Sequence, residues 1–236
     1  SALPRVGGTK NPDLARIRSA LPDLILASRE ENAREAVETL QAEGFRVWVT
    51  FPTTVGGVLE LLWALVRAFD VPHMAPTVDA LERACEVAAL AAENSPLTPV
   101  FCPIWREPRA PEPPRWWMTC NQATYPHDVL RLCGGANVFA DRVRRYPLAA
   151  DLGQAPADPP DPDRDARYPR VTPAEVAARA PEVILLPSEP YPFAEVDGAA
   201  FDAWPAIPAV RHKRLRYVDG SLLTWPGTRL GRALNE

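Results

Sequence analysis

Residues 171–191 read VTPAEVAARAPEVILLPSEPY, and residues 11–31 read NPDLARIRSALPDLILASREE. Aligning Pro181 with Pro22 sets an offset of 159 positions. The same offset pairs Glu182 with Asp23, Val183-Ile184-Leu185 with Leu24-Ile25-Leu26, and Glu189 with Glu30. Each copy carries a short helical pattern halted by proline, an acidic residue, an apolar run of strand length and a glutamate. Self-similarity of this kind marks one supersecondary unit used twice. Each half is therefore expected to present a glutamate just past the carboxyl end of an equivalent buried strand, the edge where open α/β sheets meet ligands and partners.

The segments that flank the first copy continue the alternation. Residues 32–42 form a helical pattern with Ala33, Ala36, Val37 and Leu40 on one stripe, stopped by Gly44, and residues 46–50 form the next strand. A turn at 51–54 leads into an apolar helix over 55–69. Residues 76–94, PTVDALERACEVAALAAEN, contain no internal breaker and open on proline, which first helical turns accept. Val78, Leu81, Cys85, Ala88 and Ala89 recur at helical spacing, giving a helix about 30 Å long at 1.5 Å per residue. Beyond it, 100–102 reads as a strand, 125–132 as a helix ended by Gly134-Gly135, and 152–170 as a polar, proline-rich irregular stretch. Helix and strand resume over 171–186, and a last strand and helix occupy 216–234. The expected fold is α/β, with two parallel-sheet lobes joined by one long helix acting as a rigid strut: a first lobe over 1–72, a linker helix over 73–97 and a second lobe over 98–236.

Composition narrows the function. The chain has 236 residues, 47% hydrophobic and 24% charged, which is ample for a core. Its net charge is −4 and its arginines lie scattered among carboxylates, so it lacks the basic stripe of a nucleic-acid binder. No apolar run reaches the roughly 18–20 residues of a membrane span; the nearest, 55–66, is short and contains Glu60. The first residues lack the apolar core of a signal peptide. There is no GxSxG elbow, GxGxxG loop or phosphate loop, and GGTK at 7–10 lacks both the spaced first glycine and a preceding strand, so no enzyme is expected. His73, His127 and His212 are dispersed and form no metal-ligand set; His127 fits a helix start better than a ligand. The four cysteines form no CxxC pair and read as buried thiols, with a Cys102–Cys120 or Cys120–Cys133 disulfide left open in an oxidising compartment.

Residues 99–119, PVFCPIWREPRAPEPPRWWMT, place three of the seven tryptophans on a proline-broken segment that cannot be helical. Indole rings have two side-chain torsions and cover a broad, flat, apolar ligand at little entropic cost. The competing reading is that they cap sheet edges.

Together GGTKNPDLARI, LPDLILASREEN, GFRVWVTFPTT, PIWREP with WWMT, LRLCGGANVFAD, the 171–193 stretch and DGSLLTWPGTRLGRAL resemble the substrate-binding proteins of ABC importers for vitamin B12, haem and ferric siderophores. The resemblance implies two α/β lobes, a backbone helix and a metal chelate held between the lobes. It also implies no catalysis, no cofactor other than the chelate as ligand, a periplasmic or extracytoplasmic monomer, and a membrane permease and ATPase complex as partner. On that basis Trp105, Trp116 and Trp117 form an aromatic wall, with Arg106 available to a carboxylate, phosphate or catecholate edge. Tyr191, Phe193 and Trp225 border the same space. Glu30, or its neighbour Glu31, and Glu189 would dock onto basic residues of the permease. A corrinoid leads among chelates because it asks mainly for shape, whereas haem would take an axial ligand such as Tyr191 or His127, and siderophores vary in charge. Family members carry a strand, helix and strand before the GGTKN segment, which this chain nearly begins with. A stand-alone chelate carrier or sensor, which the paired glutamates argue against, and an α/β hydrolase or transferase are the alternatives from other classes.

Overall fold

Asp13 and Thr172 begin two helices in the same way. Asp13 caps α1 (Leu14–Ala20), its Oδ1 accepting the Arg16 N–H at 3.1 Å. Thr172 caps Pro173–Arg179 by accepting the Glu175 N–H on its Oγ1 at 3.2 Å. Both helices have seven residues, and both stop on a non-glycine residue in the left-handed region, Leu21 with φ 46° and Ala180 with φ 48°. That backbone costs a side chain roughly 1–2 kcal/mol, so its recurrence at matched positions shows the repeat to be structural. The strands that follow are entered and left alike. Ile25 N donates to Arg46 O at 2.9 Å and Ile184 N to Arg214 O at 3.1 Å; beyond them Arg29 N donates to Thr50 O at 2.9 Å and Ser188 N to Val218 O at 3.0 Å.

The computed structural model describes residues 3–235. The chain divides into one unit up to Pro52 and another from Thr53 onward. In the first, α1, β1 (Ile25–Ser28), α2 (Arg34–Ala42) and β2 (Val47–Thr50) form a parallel pair with covering helices, Ile25 opposite Val47. Ile17, Ala27 and Leu40 are its buried apolar side chains.

The second unit runs through α3 (Val55–Ala68), α4 (Ala75–Glu93), β3 (Thr98–Phe101), β4 (Trp105–Glu107), β5 (Trp116–Met118), α5 (Tyr125–Leu132) and β6 (Gly135–Asn137). It continues with α6 (Leu148–Asp151), β7 (Arg170–Val171), α7 (Pro173–Arg179), β8 (Val183–Pro187), α8 (Glu195–Ala199), α9 (Pro208–Arg211), β9 (Leu215–Val218), α10 (Ser221–Thr224) and α11 (Leu230–Ala233). Four strands in the order β6-β3-β8-β9 make a wholly parallel sheet. Its strands alternate between two cores, as a sheet covered on both faces requires. Val100 and Leu185 face the helical core of Val58, Leu81, Val129 and Leu230, while Phe101, Ile184 and Leu186 face an aromatic core with Trp117, Phe139 and Phe201. The fold is thus α/β with parallel-sheet cores.

The unit boundary lies between Pro52 and Thr53 instead of at residue 72, for a packing reason. Helix α3 buries Val55, Val58 and Leu59 in the core that holds α4 and α5, and its first N–H, on Val55, donates to Asp128 Oδ2 of α5 at 2.7 Å. The helix expected over 76–94 is present as α4, with Val78, Leu81 and Cys85 buried along one stripe, and it lies inside the second unit. The four cysteines are free thiols, which removes both disulfides left open by spacing. Burial pushes the Cys85 and Cys120 thiols up to about 11, as expected for inert core residues.

Candidate functional site

The proline-broken tryptophan segment is a β-hairpin. Strands β4 and β5 pair antiparallel, with Trp105 opposite Met118, Arg106 opposite Trp117 and Glu107 opposite Trp116; β7 adds a third strand. Strand side chains alternate faces, so Trp105, Glu107, Trp116 and Met118 share one face and Arg106 and Trp117 the other. The first four are half-buried, whereas Arg106 and Trp117 are each only 1% exposed.

This alternation corrects two of the expected ligand contacts. Trp117 is a core residue: its ring stacks on Phe201 at 4.8 Å and 6°, with Phe101 and Trp204 edge-on at 5.8 Å. Arg106 is not available to a ligand edge. Its Nη1 donates to Asp197 Oδ1 at 2.8 Å, its Nε to Pro108 O at 3.0 Å and its Nη2 to Glu112 O. The guanidinium therefore closes the hairpin's own turn and ties it to α8. Asp197 is equally committed, since Oδ1 also accepts from the Tyr191 hydroxyl at 3.1 Å and Oδ2 accepts from Ala194 N at 2.9 Å. The buried pair is the clamp that fixes the tryptophan face, and Asp197 is the residue the sequence reading missed.

Tyr191 and Phe193 are mostly buried as well, at 5% and 7% exposure. They back the hairpin face instead of bordering open space: Tyr191 lies edge-on to Trp105 at 5.5 Å and against Phe193 at 4.6 Å, and its hydroxyl also accepts from Ala110 N at 3.3 Å. Trp225, half exposed beyond α10, carries the Arg229 guanidinium 5.7 Å above its ring and has no ring contact with the hairpin among the described residues. His127 is half-buried at the start of α5, with Nδ1 3.5 Å from Asn137 Nδ2, and burial holds its pKa below the usual value. Among the described residues no group of three or more His, Cys, Asp or Glu side chains could hold a metal ion, and no helix is long and apolar enough to cross a membrane.

The repeat glutamates follow β1 and β8. Glu31 pairs with Lys10 at 3.7 Å and accepts from Thr9 Oγ1 at 3.3 Å, while Lys10 Nζ donates to Glu30 O at 2.7 Å. Glu189 is half-buried in a loop braced by Gly220, whose N donates to Ser188 Oγ at 3.1 Å. A Cβ at Gly220 would stand 2.4 Å from Glu189 O and 2.5 Å from Glu189 N, so only glycine lets the two loops approach.

No protein-family model matches the chain. Among curated proteins, the vitamin B12-binding protein of Vibrio cholerae is 23% identical over an alignment of 237 residues, covering 99% of this chain and 73% of that protein. The corresponding protein of Vibrio vulnificus is 24% identical over the same span, covering 74% of its length. Among solved structures, the periplasmic vitamin B12 binding protein BtuF of Vibrio cholerae superposes with a TM-score of 0.74 at 20% identity, over 99% of this chain and 79% of that one. The periplasmic heme-binding protein BhuT, in complex with two hemes, gives a TM-score of 0.72 at 22% identity over 98% and 79% of the two chains. These are two-lobed binding proteins, and the resemblance read from the motifs is borne out. In fold, and in sequence along nearly its whole length, this chain is akin to the vitamin B12- and haem-binding proteins.

Proposed function

We propose that the chain is the extracytoplasmic substrate-binding component of an ABC importer, capturing a metal chelate, foremost a corrinoid, for delivery to a membrane permease. One observation carries this reading: the likeness to vitamin B12-binding proteins runs through 99% of the chain. Its relatives are binding proteins, so no catalytic step is assigned. The tryptophan hairpin supplies a fitting chemistry. Trp105 and Trp116 present half-buried indoles on a face whose opposite side is locked into the core, and rigid aromatic surface of this kind suits a flat macrocycle.

Haem is the second reading, favoured by the fold shared with a protein holding two hemes. Neither expected axial ligand suits that role. The Tyr191 hydroxyl is engaged by Asp197 and Ala110, and His127 sits half-buried beside Asn137. A corrinoid brings its metal already ligated and needs no such residue.

Titration with cyanocobalamin, haem and a panel of ferric siderophores, followed by tryptophan quenching, tests the reading; binding of none of them rejects it. Trp105→Ala and Trp116→Ala are each expected to weaken chelate binding by about 1–3 kcal/mol, the range for desolvated aromatic anchors. Unchanged affinity in both variants would remove the hairpin face from the site.

Docking onto the permease is assigned to Glu30 or Glu31 in the first unit and to Glu189 in the second, each following an equivalent strand. Charges at an interface rim govern encounter and orientation more than total affinity. Alanine at these positions should leave chelate titrations unchanged and slow transport in a reconstituted system, with the combined variant slower than either side alone. Full transport by a protein lacking Glu30, Glu31 and Glu189 would show the glutamates to have no docking role.

A further inference from the structure

Glu107 stands between the two indoles on the outward face of the hairpin. It follows Trp105 by two positions on β4 and is the direct cross-strand partner of Trp116 on β5. Met118 shares this face, as does Arg170, which β7 places opposite Met118. Glu107 is half-buried, yet among the described residues nothing donates a hydrogen bond to its carboxylate and no cation lies within 4.0 Å of it. That isolation sets it apart. Glu189, assigned above to docking, aside, the other buried or half-buried carboxylates from Thr53 onward each have a donor. Glu82 accepts from Trp63 Nε1 at 3.3 Å, Asp128 from Val55 N at 2.7 Å, Asp151 and Glu175 from Arg142 at 3.0 and 2.8 Å, and Asp197 from Arg106 at 2.8 Å.

The neighbouring arginines are engaged elsewhere. Arg106 turns inward to Asp197, and the Arg109 guanidinium lies 5.1 Å from the Trp105 ring centroid. Arg170 donates from Nη1 to Tyr168 O at 2.9 Å, with its guanidinium 5.8 Å from the Trp116 ring centroid. Arg115 meets Glu107 through the backbone, its N donating to Glu107 O at 2.8 Å. A carboxylate partly withdrawn from water is unfavourable until donors replace that water. Indole N–H and guanidinium groups only donate and a thioether accepts weakly, so Glu107 is the one strong side-chain acceptor among the five residues of this face. Ligands differ in what they offer such an acceptor. A corrin rim carries primary amides, whose N–H groups donate, whereas a porphyrin rim ends in ionised propionates, which only accept.

We propose that Glu107 is a specificity-determining residue of the hairpin face, accepting hydrogen bonds from N–H groups on the ligand's rim and so favouring an amide-bearing corrinoid over a porphyrin. This inference rests on the chelate-binding reading and names the ligand chemistry of the same face. Dicyanocobinamide and dicyanocobyrinic acid heptamethyl ester test it as a matched pair. They share one corrin, the first with amide N–H donors around its rim and the second with none.

The unmodified protein should bind the amide about tenfold or more tightly than the ester, as a hydrogen bond to a charged group implies. In Glu107→Leu that preference should collapse through lost affinity for the amide, while affinity for the ester and for haem does not fall. Glu107→Gln keeps an acceptor oxygen without the charge and should retain part of the preference; being nearly isosteric, it carries the test should the leucine variant not fold. An unmodified protein that binds both corrinoids equally overturns the proposal, as does full preference in the folded variants. An equal loss for the amide, the ester and haem marks Glu107 as structural and overturns it too. Failure of both corrinoids to bind overturns the role of Glu107 together with the corrinoid assignment, and the haem and siderophore titrations then decide the wider chelate reading separately.

Discussion

Asp197→Ala is expected to lower the unfolding free energy by about 3–5 kcal/mol, because it strands a buried guanidinium without its counter-charge. The aspartate and Arg106 are 3% and 1% exposed at the side chain and lie 2.8 Å apart. The variant would also leave the Tyr191 hydroxyl and the Ala194 N–H without the acceptors they now have. Urea denaturation measures the loss, and a drop below about 1 kcal/mol would mean the pair contributes no more than an exposed one. Asp197→Asn keeps the volume and part of the hydrogen bonding and should fall between the alanine variant and the unmodified protein. The effect extends beyond stability. Because Arg106 also binds the carbonyls of Pro108 and Glu112, loss of the aspartate should speed amide exchange across 105–118 ahead of global unfolding.

Trp117→Ala should also cost about 3–5 kcal/mol, the usual range for emptying an aromatic core position. The removed ring is stacked on Phe201 and flanked by Phe101 and Trp204, and three fixed neighbours leave the cavity little room to collapse. Denaturant midpoints and chelate titrations of the folded variant, measured together, distinguish a core role from a ligand contact. A large stability loss with unaltered affinity is the expected pair of results. The opposite pair, intact stability with lost binding, would return Trp117 to the site.

What the sequence disclosed follows from how locally each feature is determined. Helix α5 over Tyr125–Leu132 appears with the bounds read from its pattern, because Thr124 caps it, Pro126 opens it and its apolar spacing is regular. The repeat was legible for the same reason: proline, acidic residue and apolar run are written in consecutive positions. The hairpin was hidden by its prolines and by strands only three residues long, too short for a period of two to stand out. The fate of Arg106 depended on a carboxylate 91 positions away, which no local pattern encodes. The membership of α3 was equally obscure, since its apolar stripe looks the same whichever unit covers it. Four of the seven expected contact residues, Arg106, Trp117, Tyr191 and Phe193, proved to be buried, the first two for these reasons.

The antiparallel register of β4 and β5 gives this hairpin an inner row and an outer row that can be inherited separately. Arg106 and Trp117 are answerable to the core, whereas positions 105, 107, 116 and 118 are answerable to whatever meets the outward face. The rows meet at Tyr191, whose ring lies against Trp105 and whose hydroxyl donates to Asp197, so positions 107, 116 and 118 are the ones least tied to the inner row. On the proposed chelate face, a library confined to positions 107, 116 and 118 would therefore explore new molecular tastes on an unchanging chassis, and a natural lineage could vary the same row without rebuilding the protein beneath.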